Sequence, residues 1–296
     1  METFATPLRP LAAPKRGPLG RDHLAVLGIF RNEAHILAEW CQHYINQGAT
    51  RLILLNHLST DHYRAVLDPF VGAGFVELIH VHGERPQIRA YNSLRWRLRR
   101  SCRWLLVCDL DEFVYGRRGH TIGSYLQTLP WSVSELLIPW KNFASSHHEA
   151  HPPGLVVRNF LHRWSYDHPQ ALDQGAPASE NWCKYIVRTS RLRFLAVHNA
   201  SVWFGHRLDA NAQPLPQPFE GHLPLNETLL AQANLHLNHY AIQSREYFMN
   251  VKMQRPDVNL PPEQNPKSLA YFSSYDRNEI HDPELSRLAS ADTPAR

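Results

Sequence analysis

Three carboxylates, Asp109, Asp111 and Glu112, stand directly after an apolar run that begins at Trp104. Burying such oxygens without a cation beside them is costly. A short apolar run bounded in this way reads as a central strand, and strand residues i and i+2 point the same way. Asp109 and Asp111 are therefore expected to present their oxygens on one side, at the carboxyl edge of a sheet. Carboxylates so arranged suit a hard divalent cation, Mg²⁺ or Mn²⁺, which takes one or two of them and completes its shell with substrate phosphates and water. An isolated Asp-x-Asp fits an acidic strand end capping a neighbouring helix equally well, so the remaining elements have to decide.

Those elements alternate. Residues 24–30 read as a strand, and after Arg31-Asn32-Glu33 come Ile36, Leu37, Trp40, Cys41, Tyr44 and Ile45 at helical spacing. Asn32 is expected to cap that helix with Glu33 in its first turn, and Gly48 to stop it. A second strand (52–55) leads through the polar turn 56–60 into a helix bearing Tyr63, Val66, Leu67 and Phe70. A third strand (75–81) and a helix over 87–100 then precede the Trp104 strand. Strands and helices alternating at this length predict parallel βαβ units and an open, mostly parallel α/β sheet of Rossmann-like type flanked by helices. In such a sheet ligands bind at the carboxyl edge. Arg31, Asn32 and Glu33, then Asn56, Ser59 and Asp61, then Asp109 and Asp111 all fall on that one rim, which favours a metal and phosphate site.

The second half predicts a helix at 121–129, strands at 134–140, 155–158, 185–187, 194–197 and 235–240, and a last helix at 244–252. This is a smaller, more antiparallel region with long loops at 162–181 and 204–226. The expected organisation is a flexible lead-in (1–20), one domain (21–256) with a nucleotide- and metal-binding half (21–115) and an acceptor half (116–256), and a polar tail (257–296).

Composition fits a folded protein, with 43% hydrophobic and 20% charged residues over 296 positions. No stretch approaches the roughly 20 apolar residues that span a bilayer, and the first residues do not resemble a secretory signal, so a cytoplasmic location is expected. Cys41, Cys102, Cys108 and Cys183 form no Cys-x-x-Cys pair and read as reduced core residues. The net charge of +4 with 19 histidines suits anionic small molecules and is compatible with peripheral membrane contact, but does not imply nucleic acid. Arg95, Arg97, Arg99, Arg100 and Arg103, interleaved with Trp96 and Trp104, read as the solvent face of the third helix. His147-His-Glu-Ala-His151 lacks the i, i+4 histidine spacing of a helical zinc site.

Several motifs together resemble the glycosyltransferase family 2-like and family 92 group. They are Phe30-Arg-Asn-Glu33 with Leu37-Ala-Glu-Trp40, Asn56-His-Leu-Ser-Thr-Asp61, Ala90-Tyr-Asn92 and Cys108-Asp-Leu-Asp-Glu-Phe113. Later come Trp140-Lys-Asn-Phe143-Ala-Ser-Ser146, Lys184-Tyr-Ile-Val-Arg188, Val197-His198 and Asn238-His-Tyr240. Ala144 and His147 stand where the group usually has glycine, which points to an acceptor loop of different shape. The resemblance implies a GT-A fold and a metal-dependent transferase that moves a sugar from a nucleotide-sugar donor to a glycan or other hydroxyl acceptor, as in glycan or cell-surface polysaccharide synthesis. It implies Arg31, Asn32, Glu33, Asn56, Asp61, Tyr91, Asn92 and Asp109 as donor contacts. Asp109 and Asp111 would serve as metal ligands for Mn²⁺ or Mg²⁺, completed by His198 or alternatively His239. An inverting reaction needs a carboxylate base, for which Glu149 is the candidate, with Glu180 and Asp173 as others. A nucleotidyltransferase, which would want a glycine-rich phosphate loop after the first strand, and a turnover-deficient carbohydrate-binding relative are the competing readings.

Overall fold

The computed structural model describes residues 11–17, 20–167, 182–215, 223, 225–255 and 267–291. Its strands are β1 (Asp22–Phe30), β2 (Arg51–His57), β3 (Val76–Val81), β4 (Cys102–Val107), β5 (Glu112–Gly116), β6 (Val133–Asn142), β7 (His162–Arg163), β8 (Cys183–Arg188), β9 (Leu192–Leu195), β10 (Ala200–Val202), β11 (His206–Asp209), β12 (Leu235–His239) and β13 (Ile280–His281). The main sheet runs β3-β2-β1-β4-β8-β6-β12-β5, with β11 beside β6. β1 to β4 pair in parallel, as the alternation predicts. β8 then inserts antiparallel between β4 and β6, and β5 turns back antiparallel on β12. This is the mostly parallel α/β sheet that the alternation predicts, with an added antiparallel region. Both faces of β1 are buried in apolar side chains, one set facing the helices that hold Trp40 and Leu67, the other facing Tyr91 and Leu98.

Helices α1 (Ala34–Asn46) and α2 (Tyr63–Gly72) form where expected. The third expected helix is broken into α3 (Pro86–Ser93) and α4 (Arg95–Ser101). The cap of α1 differs from expectation. Asn32 sits at φ 53, outside the helix, and its side chain instead accepts from the amides of Thr60 and Asp61 at 2.7 and 3.3 Å. Asp61 supplies the missing cap from the next loop, accepting from the Ala34 amide at 2.8 Å. Gly28, in the middle of β1, has a positional reason: a Cβ there would lie 3.0 Å from the Cys108 carbonyl, tighter than an ordinary contact, so glycine lets the carboxylate turn approach without a shift.

Residues 155–158 are not a strand. Val156–Asn159 is a single helical turn whose first amides donate to both oxygens of buried Glu39, at 2.8 and 3.0 Å. An apolar run this short cannot be assigned by periodicity alone. The expected loop 204–226 contains β11, and the expected loop 162–181 begins with β7; residues 168–181, including Asp173 and Glu180, lie outside the described residues. Most of the expected lead-in also lies outside them, although Leu11 packs on the core and Arg16 reaches Asp22 at 3.4 Å.

The segment beyond 256 is not merely a polar tail. Helix Leu269–Tyr275, β13 and helix Glu284–Ala291 complete the fold. They are attached by charge more than by apolar periodicity, which is why the sequence reads as a tail. Fully buried Lys141 of β6 donates to Asp282 at 2.9 Å and to the Tyr115 hydroxyl at 2.9 Å. Arg163 bonds Asp282 at 2.7 Å and Glu227 at 2.7 Å, and Arg117 bonds Glu284 at 2.8 Å. Arg163 still pairs Asp282 when Lys141 is removed, so what is lost is the charged hydrogen bond of Lys141. Lys141→Ala is therefore expected to cost about 1.5–3 kcal/mol of unfolding free energy in urea titration; a loss within ~0.5 kcal/mol, the level of an ordinary surface change, would contradict this attachment.

Candidate active site

β4 ends at Val107, so Asp109 and Asp111 do not share a strand face; they sit on the turn that leads into β5. Helix α1 builds that turn from beneath. Trp40 donates its indole N–H to the Asp109 carbonyl at 3.0 Å, and the Tyr44 hydroxyl donates to the Glu112 carbonyl at 3.0 Å. Glu112 folds back so that its carboxylate accepts from the Asp109 amide at 2.8 Å, and the Tyr240 amide donates to the Asp111 carbonyl at 2.8 Å.

With the turn fixed, its two aspartates separate. Asp109, about one-third exposed, meets Lys184 at 2.7 Å. The antiparallel register Val107↔Tyr185 brings Lys184, one residue along β8, beside this turn. Asp111 meets Lys252 at 2.5 Å through one oxygen. Its other oxygen faces His239 Nε2 at 3.9 Å, because β12 places His239 opposite Glu112 and beside Asn142.

Burial alone would raise the Asp111 pKa, but Lys252 and His239 outweigh it and hold the carboxyl well below the usual carboxylate range. Burial pushes the Glu112 carboxyl up to about 8 against the pull of Lys184. Lys184 itself stays firmly charged, since Asp109 and Glu112 overcome its desolvation. Burial lowers His239 to about 4, so its imidazole is neutral at ordinary pH. Its Nδ1 lies 3.1 Å from the Asn142 amide oxygen, which accepts and therefore fixes the proton there. With Nδ1 donating to Asn142, Nε2 is left as an acceptor that faces Asp111 Oδ1 at 3.9 Å.

The other candidates divide. Glu33 joins the cluster through Arg255 at 3.0 Å; burial raises its pKa and Arg255 opposes that rise. Arg255 also donates to the Arg31 and Asn32 carbonyls at 2.5 and 3.3 Å, tying the first rim loop to the segment that carries Lys252. Asn32, Asn56 and Asp61 brace the rim loops, with the Asn56 side-chain oxygen accepting from the Ser59 amide at 3.0 Å. Tyr91 is fully buried and accepts from Gln87 at 3.0 Å. Asn92 is occupied by backbone at both ends, donating to the Ile88 and Leu195 carbonyls and accepting from the Leu195 amide at 3.0 Å. His198 lies against Trp182 and Trp140, ring centres 4.5 and 5.6 Å away, with Nδ1 3.1 Å from the Cys183 carbonyl. Glu149 is 80% exposed and 3.9 Å from Arg245.

Lys184, Lys252 and Arg255 are the site residues that sequence reasoning missed. The signal for Lys184 was present: a lysine inside the apolar strand Cys-Lys-Tyr-Ile-Val-Arg has to meet a carboxylate when buried. Nothing local marks Lys252 or Arg255, whose roles depend on where the chain returns.

The candidate site is therefore a carboxylate turn at the carboxyl edge of a parallel sheet, with a lysine on each aspartate and a histidine opposite. The sequence profile of glycosyltransferase family 92 matches residues 26–286. The chain belongs to that family. A search of curated proteins finds no significant match. Among solved structures, it is similar to a mannosyltransferase of Pyrobaculum calidifontis in complex with GDP-Man and Mn²⁺, at 17% identity over 42% of this chain and 37% of that one, TM-score 0.32. It is similar to residues 1–349 of S. aureus TarS, at 12% identity over 57% and 47%, TM-score 0.36. It is also similar to glucosyl-3-phosphoglycerate synthase of Mycobacterium tuberculosis in complex with Mn²⁺, UDP and glucosyl-3-phosphoglycerate, at 13% identity over 58% of each chain, TM-score 0.30. The chain spans less than two thirds of each.

The buried neutral histidine makes stability depend on pH. Its folded pKa of about 4 lies below the ordinary 6.5, so its contribution is complete above about 6.5 and is lost as pH falls toward 4. Urea midpoints are expected to fall between pH 7.5 and 5, by the equivalent of up to ~2 kcal/mol for this one group. His239→Gln should flatten the slope; an unchanged slope in that variant would contradict the buried neutral state.

Proposed function

We propose that this glycosyltransferase moves a sugar from a nucleoside diphosphate sugar to a hydroxyl acceptor, with Mn²⁺ or Mg²⁺ at the carboxylate turn and inversion at the anomeric carbon, in glycan or cell-surface polysaccharide synthesis. The observation that carries this reading is the pair of facing acceptors, Asp111 Oδ1 and His239 Nε2, 3.9 Å apart. A carboxylate oxygen and an imidazole nitrogen at this separation can share a cation. Among the described residues no three donor side chains converge as a ready-made cage. The donor set, a carboxylate and a neutral imidazole with one-third-exposed Asp109 alongside, instead suits a cation that draws its remaining ligands from the diphosphate and water. The Asn142 bond to His239 supplies the outer-shell orientation that such ligands typically have. His239 thus replaces His198 as the preferred histidine.

When bound, the cation supplies Lewis acidity that neutralises charge on the departing diphosphate. Lys252 holds the Asp111 carboxyl ionised, and Lys184 pairs Asp109 from beneath the turn. Arg31 and the 31–33 loop, held by Arg255, border the donor, and Trp140 packs 4.2 Å from the His239 ring to exclude water from behind. Glu149 is the proposed base. Its loop is braced by the Glu246 amide, which donates to the Glu149 carbonyl at 2.9 Å, and Glu246 begins the helical run that ends at Lys252 on Asp111. That run spans about 10 Å at ~1.5 Å per residue. A cytoplasmic setting is consistent with four cysteines that are all buried and free.

With Mn²⁺ present, UDP or GDP is expected to raise the melting temperature, and Asp111→Ala to abolish the rise. His239→Ala should weaken Mn²⁺-dependent nucleotide binding about 10–100-fold, the range for a lost ligand or its support. No shift with either nucleotide, or a shift that survives Asp111→Ala, would contradict the donor site. Glu149→Gln should slow transfer about 10²–10⁴-fold while leaving the nucleotide-induced shift intact; transfer at the unaltered rate would remove Glu149 as the base.

A further inference from the structure

The amino edge of the sheet, opposite the carboxylate turn, carries a second concentration of unusual side chains. Trp131, Trp203, Phe204 and Trp96 are 70%, 58%, 56% and 57% exposed. A guanidinium lies over each ring. Arg191 is 4.1 Å from the Trp131 centre and 4.8 Å from Phe204, Arg193 is 5.1 Å from Trp203, and Arg95 and Arg99 are each 5.0 Å from Trp96. The rings form one surface, because the Trp203 amide donates to the Arg191 carbonyl at 2.9 Å and Arg95 donates to the Arg193 carbonyl at 2.5 Å. Gly205, at φ +102, fixes the tip: a Cβ there would overlap Ser134 and Arg191, so the Trp203–Phe204 pair is displayed by a turn that only glycine can make.

Trp131 also walls a cavity of about 400 Å³ lined by Arg21, His23, Arg103 and Arg188. Two of its guanidiniums, those of Arg21 and Arg188, are positioned by carbonyls and not by carboxylates. Arg21 donates to the Arg99 and Cys102 carbonyls at 3.2 and 3.0 Å, and Arg188 to the Val133 and Pro130 carbonyls at 2.8 and 3.1 Å. Among the described residues that line the cavity, the one carboxylate is Asp22, already held by Arg51 at 2.8 Å and Arg16 at 3.4 Å. Burial, then Arg103 and Arg191, lower the Arg188 guanidinium to about 10, as expected where positive charge lacks a counter-ion.

We propose that this face docks on an anionic phospholipid surface, with lipid phosphates against the Arg21, Arg103 and Arg188 cavity and the edges of Trp131, Trp203 and Phe204 at headgroup level. Aromatic rings with a polar or cationic neighbour partition to that level, and arginine clusters beside them are drawn to anionic lipids. A single-stranded nucleic acid is the main competitor, but it would need free ring faces for base stacking. Here one face of each of Trp131, Trp203 and Phe204 is already covered by a guanidinium, so none can be sandwiched between successive bases, which disfavours stacking relative to headgroup contact. The nine residues of β1 separate this face from the rim, about 30 Å at ~3.3 Å per residue, so docking would turn the transferase site away from the bilayer. The proposal does not depend on the donor reading.

Co-sedimentation with vesicles tests it. Vesicles of phosphatidylcholine with about 30% phosphatidylglycerol should retain the protein, and phosphatidylcholine alone should not. The Trp203→Ser/Phe204→Ser and Arg103→Glu/Arg193→Glu double variants, all at exposed positions, should each bind at least ~10-fold more weakly with unchanged melting temperature. Leu288→Ser, an exposed apolar position elsewhere, should bind like the unaltered chain. Equal retention on neutral vesicles, no loss in the Trp203/Phe204 variant, an equal loss in Leu288→Ser, or tighter binding to oligo(dT) than to the anionic vesicles would each overturn the proposal.

Discussion

The active edge depends on two ammonium groups taken out of water. Lys184 and Lys252 are almost completely buried, and each is acceptable there only because an aspartate of the 109–111 turn receives it. The constraint runs both ways for Asp111, whose buried carboxyl is held low chiefly by Lys252. Because Lys184 lies on β8 and Lys252 follows the turn of helix after β12, the pairing ties the parallel half to the antiparallel half of the sheet. One electrostatic requirement thus specifies how the later chain must come back onto the carboxylate turn.

The same requirement prepares the site for its ligand. Lys252 engages one oxygen of Asp111 and leaves the other toward His239, whose proton is held away by Asn142. A site that is already charged and oriented has little left to reorganise when a diphosphate and a cation arrive. Beneath it, Trp40 and Tyr44 fasten the turn from the core, so packing errors in α1 would propagate directly to the carboxylates.

The parallel half of the fold was legible because its signals are local: continuous apolar strands, helical periodicity and turn residues between them. The rim residues followed from topology, since every β-strand of a parallel set ends on one edge. What could not be read was the division of labour on that rim. Asn32 and Asp61 exchange their side chains with the opposite loop's amides, a pairing between positions far apart in sequence, and Asn92 is consumed by the Leu195 backbone. The C-terminal elements escaped for a related reason. Their attachment rests on Asp282 and Glu284 meeting Lys141 and Arg117, and isolated charges in a polar segment carry no periodic signature.

The central claim is that the oxygen of Asp111 and the nitrogen of His239 are held apart for a cation. Anomalous diffraction at the manganese edge, from crystals grown with Mn²⁺ and a nucleoside diphosphate, tests it most directly. The account predicts a single strong peak between Asp111 and His239, within about 2.0–2.3 Å of both as transition-metal bonds to these ligands require, with the diphosphate on its open side. A bound diphosphate held by Lys184 and Lys252 alone, with no peak between Asp111 and His239, would contradict it.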